Sequence, residues 1–175
     1  PADKKAELKE VNAEISALQL EFGQNLLKET AAYKLVIDNE KDLAGLSEAQ
    51  IAEAASRAKA AGMEGKWIFG LDNPSIMPFL QNAENAELRE QMLNAYLMRG
   101  NNNNENDSKA TIAKLVELRL KKAQIMGCKN YAEYALDTRM AKTEEAVFDL
   151  LDQIWAPALK AAKNELKDMT KIARK

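Results

Sequence analysis

The sequence predicts a mainly α-helical protein that carries a small two-stranded β element. Apolar residues recur every three or four positions over long stretches, which is the periodicity of amphipathic helices. Only 7 glycines and 4 prolines occur in 175 residues, so the helices have few interruptions. Hydrophobic residues make up 46% and charged residues 30% of the chain, a composition typical of a globular protein with a packed core.

The first helix is predicted over residues 4–33. One apolar stripe follows it at spacings of three and four, formed by Leu8, Val11, Ile15, Leu18 and Phe22. After about two heptads Leu26 and Leu27 broaden the stripe, which favours packing within the same domain over a free coiled coil.

Two short segments near residues 34–38 and 66–71 predict strands, because β-branched and aromatic residues are concentrated there. Between them, Ser47 and Gln50 form a capping-box pattern that opens a helix ending at Gly62. A helix between two strands predicts a β-α-β unit, whose parallel strands would be joined by a right-handed crossover.

Five further helices are predicted in the rest of the chain, and most of them begin at a capping residue. The first begins after its cap Asn73, with Pro74 in its first turn, and the others span 85–99, 107 or 108–126, 130–138 and 143–175. Pro78 is expected to kink or end the first of them, and Pro157 to bend the last. The helix ending at residue 126 has apolar residues on more than one side, which predicts central burial. Trp67 and Trp155 are expected to anchor the core.

No Gly/Ser linker or internal repeat divides the chain, so residues 1–175 are predicted to form a single helical domain.

Composition excludes several classes of function. The net charge of −2 predicts no nucleic-acid partner, and no apolar run approaches the roughly 20 residues that cross a membrane. Histidine is absent, which removes the usual zinc ligand and general base. Cys128 is the only cysteine, so no internal disulfide can form.

Three segments offer candidate sites, and the residues of each favour a structural interpretation. The polar loop 101–107 has many oxygen ligands, but it lacks the glycine and final glutamate of a calcium loop, so a surface turn is favoured. Segment 71–75 could present backbone N–H groups to an anion, but capping is favoured without a glycine-rich phosphate loop. The basic residues of the last helix favour a solvated face over an RNA or lipid site. No catalytic or metal-binding residue is therefore predicted, and the substrate-binding residues are unknown.

A series of short stretches resembles the thimet-oligopeptidase and peptidyl-dipeptidase family of zinc metallopeptidases. The first stretches are 24–30, 35–38, 42–46, 65–69, 71–75 and 78–79. The strongest tract is 96–143, which includes Asn104-Glu105-Asn106-Asp107 and Arg139-Met140-Ala141-Lys142-Thr143. The order and spacing match over nearly the whole chain, so the series is specific although each stretch alone is weak.

The resemblance implies a larger, two-lobed helical enzyme whose deep channel admits short peptides. It implies one zinc ion, held by the two histidines of a His-Glu-x-x-His helix and a further glutamate, with the motif glutamate activating the zinc-bound water. This sequence departs from that pattern, since it has no His-Glu-x-x-His. The chain is therefore expected to be a fragment N-terminal to the catalytic region, with zinc in the full-length parent and none in the fragment.

As such a fragment, the chain is expected to contribute channel wall and to be inactive alone. Its expected partners are short peptides and the remainder of the same polypeptide, with self-association of the fragment through uncovered apolar surfaces. A cytoplasmic location is expected, or a periplasmic one if a signal peptide lies upstream. The alternative is a self-contained helical interaction module without activity, whose stripes at residues 8–22 and 159–173 bind partner helices.

Overall fold

The computed structural model of the protein describes residues 1–174. It confirms the mainly helical class: this part of the chain has seven α-helices, a short 3₁₀ helix and two strands. In chain order these are α1 (Ala2–Ala32), β1 (Leu35–Ile37), the 3₁₀ helix (Glu40–Leu43), α2 (Glu48–Ala60), β2 (Trp67–Phe69), α3 (Asn73–Asn82), α4 (Ala86–Leu97), α5 (Lys109–Ile125), α6 (Tyr131–Leu136) and α7 (Glu144–Ala173). Within these residues, no helix combines the length and apolar character needed to cross a lipid bilayer.

The two predicted strands are present, but the predicted parallel β-α-β arrangement is wrong. The strands are antiparallel, with Leu35 opposite Phe69 and Ile37 opposite Trp67. Because Ile37 lies opposite Trp67, the connecting chain must return to the end of the sheet that it left. Segment 38–47, which contains the 3₁₀ helix, runs along the sheet in one direction, and α2 runs back in the other. The prediction considered only the helix, and a connection that ran along the sheet once would have joined parallel strands.

Local capping determines where several helices begin, as predicted. Ser47 and Gln50 form the reciprocal capping box of α2, and the side chain of Asn85 accepts hydrogen bonds from two N–H groups of α4. Asn130 accepts the N–H of Glu133 at 2.8 Å, and Thr143 caps α7 by accepting the N–H of Ala146. These side chains satisfy donors that a helix start leaves without an intrahelical partner.

Helix α3 begins one residue earlier than predicted, since its cap is Asp72 rather than Asn73, and Asp72 makes no side-chain cap hydrogen bond. Pro78 lies inside the helix, which continues to Asn82, so Pro78 does not end the helix; the predicted alternative, a kink at Pro78, stays a prediction. Asn82 donates to the carbonyl of Pro78 at 2.9 Å, a local contact that accompanies this last turn.

The chain forms two compact units. One unit comprises residues 14–115 and contains the sheet, α2, α3 and α4. Its core is a continuous apolar cluster in which Phe69 and Phe79 meet with ring centroids 4.8 Å apart. The buried members are Leu35, Ile37, Leu43, Ala54, Phe69, Leu71, Ile76, Phe79, Ala83 and Met92.

The other unit comprises residues 1–13 and the described residues from 116 onward. Val11, Leu118 and Ala123 are buried in it, and Lys121 pairs with Glu7 at 3.0 Å. The guanidinium of Arg119 lies over a tyrosine ring of α6, 5.5 Å from its centroid. These contacts join the first turns of α1, the second half of α5 and α6.

Burial contradicts two expectations. Helix α5 is not buried centrally: Leu115 and Leu118 are buried, whereas Ile112 and Val116 on another side are exposed. Trp155 is not a core anchor, since 66% of its surface is exposed, and Trp67 is only half-buried. Helix α7 has no buried residue at all. The apolar pattern of these helices shows which helix faces could pack against other residues. Some of those faces are exposed to solvent in the described part of the chain.

Candidate functional site

A buried carboxylate, Glu29 of α1, fastens the loop between α4 and α5. Only 7% of Glu29 is exposed. Its two oxygens accept hydrogen bonds from the backbone N–H of Gly100 and from the side-chain amides of Asn104 at 2.6 Å and Asn102 at 3.0 Å. The neighbouring Thr30 hydroxyl accepts a hydrogen bond from Arg99 at 3.0 Å. We call this group the Glu29 clamp.

The clamp keeps Glu29 ionised. Burial raises the pKa of Glu29, but the hydrogen bonds from Gly100, Asn104 and Asn102 lower it more, so the pKa lies below its ordinary value of 4.5. Each carboxylate oxygen already accepts two hydrogen bonds. A carboxylate with every strong acceptor position engaged is suited to holding a loop and is poorly suited to removing a proton from a substrate.

The structure argues against a calcium site in loop 101–107. The ammonium of Lys109 occupies the centre of the loop's oxygens, 3.0 Å from the side-chain oxygen of Asn101 and 3.0 Å from that of Asn103. It also pairs with Asp107 and, by donating to that carboxylate, lowers the pKa of Asp107 to about 2. The loop therefore carries its own cation where a metal would bind, in agreement with the favoured surface turn.

A second polar cluster joins α2 to the start of α3. Arg57 forms a two-pronged ion pair with Asp72, with N–O distances of 2.7 and 3.2 Å, and also donates to Glu53 at 3.0 Å. The hydrogen bond from Arg57 lowers the pKa of Asp72, and the reciprocal bonds raise the pKa of Arg57 above its usual range. Asp72 thus uses its carboxylate on Arg57, which explains why it makes no cap hydrogen bond.

The same carboxylate argues against an anion site in segment 71–75. Asp72 brings a negative charge to the helix start, where an anion would otherwise be attracted. The Ser75 hydroxyl is also engaged, since it accepts the N–H of Gly70 at 3.0 Å. The structural interpretation of this segment is therefore the better one.

Arg57 lies between two cavities of the 14–115 unit. The larger, of about 610 Å³, runs along the end of α1, the end of α2 and β2, and we call it the Arg57 groove. It is lined by Leu27, Thr30, Ala31, Tyr33, Lys34, Arg57, Ala60, Ala61, Ile68, Gly70 and Asp72. A smaller cavity of about 280 Å³ lies on the other side, against Phe69 and Pro74. Their mainly apolar walls with a few charged groups suit ligand binding.

Neither cluster forms a zinc site. Over residues 1–174, no group of three or more Cys, Asp or Glu side chains is placed to hold a metal ion, and the whole sequence lacks histidine. The zinc site implied by the resemblance therefore does not fit the residues of this chain.

One signal for the Glu29 clamp was present in the sequence and was not used in the prediction. Glu29 continues the buried positions of α1, which include Ile15 and Asn25, at spacings compatible with one helix face. An acidic residue on a buried face needs several hydrogen-bond donors, and the asparagine-rich loop supplies them. The pairing of Arg57 with Asp72 had no comparable signal in the sequence.

A comparison with protein families places the chain among the peptidases. The model of Peptidase family M3 matches residues 79–175, more than half of the sequence, and the chain belongs to this family. The resemblance noted from the short stretches is thereby confirmed.

Curated relatives match almost the entire chain. It is 34% identical over 171 residues to a dipeptidyl carboxypeptidase of Escherichia coli strain K12, which covers 98% of this chain and 25% of the relative. It is 32% identical over 178 residues to a probable cytosolic oligopeptidase A of Arabidopsis thaliana, covering 98% and 25%, respectively. It is 34% identical over 164 residues to the oligopeptidase A of Haemophilus influenzae, covering 91% and 24%. The chain spans about a quarter of the length of these relatives.

Proposed function

We propose that the chain is a non-catalytic segment of a longer zinc peptidase that hydrolyses short peptides. Membership of Peptidase family M3 carries this proposal, together with the quarter of each relative that the chain spans. The relatives are named as a dipeptidyl carboxypeptidase and oligopeptidases, so the proposed substrates are short peptides.

The zinc ion of this enzyme is proposed to be held by the remainder of the same polypeptide. The absence of histidine from all 175 residues supports this division of labour, because the ligands implied by the family are two histidines and a glutamate. The segment then contributes part of the peptide-binding surface and no catalytic group. In isolation it is proposed to bind no zinc and to cleave nothing.

The channel wall is proposed to include the Arg57 groove. Its volume of about 610 Å³ and its apolar body suit the side chains of a short peptide, while Lys34 offers a positive charge to a carboxylate. Glu53 and Asp72 already hold Arg57 in place, which fixes the direction of its guanidinium. We propose that both units belong to one helical domain of the enzyme and that the enzyme is cytoplasmic, as the name of the Arabidopsis cytosolic relative suggests.

A second candidate is an interaction module without catalytic function. One observation favours it: α7, 30 residues long, has no buried residue and an apolar side that is open. Reading the native gene beyond the codon for Lys175 separates the candidates. A downstream His-Glu-x-x-His supports the peptidase, and a stop codon at that position supports the module.

The biochemical test uses the 175-residue chain beside the full-length E. coli dipeptidyl carboxypeptidase as a positive control. Both are loaded with zinc, dialysed, analysed for bound metal and incubated with the same short peptides. We expect stoichiometric zinc and cleavage only for the control. Tightly bound zinc with turnover in the 175-residue chain would contradict the proposed division of labour.

A further inference from the structure

A cavity of about 350 Å³ lies in the 14–115 unit, between the end of α1, the end of α4 and the polar loop. We call it the Asn106 cavity, and its walls include Glu29, Tyr33, Arg99, Asn104 and Asn106. It is separate from the Arg57 groove, although the side chain of Tyr33 lies in the walls of both. Its volume falls in the range of roughly 300–1,000 Å³ that is usual for small-ligand sites.

The side-chain amide of Asn106 opens onto this cavity without a partner. Only 8% of Asn106 is exposed. Its backbone is fully engaged, since its N–H donates to the side-chain oxygen of Asn104 at 3.0 Å and its carbonyl accepts from the hydroxyl of Ser108 at 3.5 Å. Within residues 1–174 its side-chain amide makes no hydrogen bond, and the amide is not sealed in the interior. A largely buried amide without a partner is costly, and a ligand in the cavity would remove that cost.

Arg99 adds a fixed donor to the same wall. Its Nε donates to the carbonyl of Tyr96 at 2.9 Å, and its Nη1 donates to the hydroxyl of Thr30 at 3.0 Å. The guanidinium also lies over the ring of Tyr96, 3.7 Å from the ring centroid. In the described part of the chain, Nη2 makes no hydrogen bond and Arg99 has no carboxylate partner. The guanidinium is therefore held in one direction with donor capacity left over.

The charges of the cavity favour a neutral ligand. Glu29 brings one negative charge to the wall and Arg99 one positive charge, and the exposed carboxylate of Glu105 lies at the edge. A carboxylate ligand would be repelled by Glu29 and Glu105, and an ammonium group would be repelled by Arg99. A neutral group that both donates and accepts hydrogen bonds avoids both penalties. The peptide group has this chemistry, and the side-chain amide of Asn106 is its complement.

We propose that the Asn106 cavity binds the main-chain amide of a peptide. The carbonyl of the ligand accepts hydrogen bonds from the side-chain amide of Asn106 and from Arg99, and its N–H donates to the side-chain oxygen of Asn106. This goes beyond the proposed function, which places the substrate in the Arg57 groove, so either proposal can fail without the other. A free peptide and a segment from the remainder of the same polypeptide offer the same chemistry.

The first experiment titrates the ¹⁵N-labelled 175-residue chain with N-acetylglycine N-methylamide, a neutral probe that consists of peptide groups. We expect saturable shifts in the NMR signals of the Asn106 side-chain amide and of the backbone amides of the polar loop. Asn106→Leu keeps a similar shape without the amide and is expected to bind at least tenfold more weakly. The control Lys34→Met, in the Arg57 groove, should bind like wild type, and the spectra show whether each variant is folded. No saturable shift at Asn106, or equal binding by a folded Asn106→Leu, would overturn the proposal.

The second experiment tests the class of ligand. Sodium acetate and methylammonium chloride replace the neutral probe at matched ionic strength, and each is expected to bind at least tenfold more weakly. Tighter binding of acetate would identify an anion site, and tighter binding of methylammonium would identify a cation site. Either result would overturn the proposal.

The third experiment distinguishes the two sources of the peptide group. Saturation-transfer signals of the same probe are compared between the full-length product of the native gene and its Asn106→Leu variant. A signal that is at least tenfold weaker in the variant supports the proposal with a free peptide as the ligand. Equal signals, together with binding at Asn106 in the 175-residue chain, support it with a segment of the same polypeptide in the cavity.

Discussion

The carboxylate of Glu29 accepts the backbone N–H of Gly100, 71 residues later in the chain. This bond and those from Asn102 and Asn104 attach the polar loop to α1. Gly100 has a φ of 74°, a left-handed conformation that glycine adopts readily. The loop is thus fixed by a buried charge at a position where the backbone turns sharply.

Replacing Glu29 by glutamine is expected to lower the free energy of unfolding by about 2–3 kcal/mol, because the new amide turns a donor towards the donors of the clamp. Urea unfolding at pH 7 measures the change. Glu14→Gln, on an exposed part of the same helix, is the control and should change stability by less than about 0.5 kcal/mol. Equal effects in the two variants would show that the clamp does not stabilise the fold.

The clamp also predicts a pH dependence. The folded-state pKa of Glu29 is lowered, so its contribution is fully present above the ordinary value of 4.5 and is lost as the pH falls through the lower folded-state value. The stability difference between wild type and Glu29→Gln should therefore shrink below pH 4.5. Urea unfolding of both proteins between pH 7 and pH 3 measures it, and a difference that stays constant would contradict the lowered pKa.

Lys109 is expected to serve as the loop's own cation. Lys109→Met should cost less than about 1 kcal/mol globally, since Lys109 is half exposed, but should accelerate hydrogen exchange of the amides between residues 103 and 109. Lys28→Met, at an exposed position of α1, should leave that exchange unchanged.

Calcium should not raise the melting temperature of wild type, and a clear increase would restore the calcium-site interpretation.

Two glycines should respond to alanine with opposite signs. Gly45 has a φ of 87°, and an added Cβ would lie 2.0 Å from the carbonyl oxygen of Asn82, so Gly45→Ala should cost about 1–3 kcal/mol or more. Gly23 lies inside α1 with nothing within 4 Å of such a Cβ, so Gly23→Ala should stabilise by about 0.5–1 kcal/mol. Thermal unfolding of both variants checks the contrast, which a similar loss in each would refute.

Arg57→Lys tests the two-pronged pair with Asp72. Lysine keeps the charge but cannot donate to both carboxylate oxygens and Glu53 together, so we expect a loss of about 1 kcal/mol, limited by partial exposure. Lys59→Met removes the more exposed pair with Glu64 and should cost less than about 0.5 kcal/mol. An equal loss in both variants would show that the two-pronged pair adds no more stability than an exposed ion pair.

Local signals predicted much of the fold. The caps at Ser47, Asn130 and Thr143 act within three residues of themselves, so the sequence contains all the information needed to place them. The direction of β2 was mispredicted, because it depends on the path of residues 38–66 in space. Asp72 makes no side-chain cap at the start of α3, because its carboxylate binds Arg57, 15 residues away.

The candidate site was less accessible to sequence reasoning. Glu29 and the asparagine loop are both visible in the sequence, yet only the fold brings them together across more than 70 residues. Trp155 shows a second limit: a hydrophobic pattern marks a face that can be covered, and it does not say whether anything covers it. The resemblance reached further, because short motifs in a fixed order carry information that periodicity lacks.

The order of the two compact units along the chain has a consequence for synthesis. The unit of residues 14–115 interrupts the other one, so Glu7 leaves the ribosome long before Lys121, its ion-pair partner. At roughly 5–20 residues per second, the 102 intervening residues take about 5–20 s to translate. The inserted unit is therefore available to fold first. The first turns of α1 can complete their own unit only after the residues from 116 onward have been synthesised.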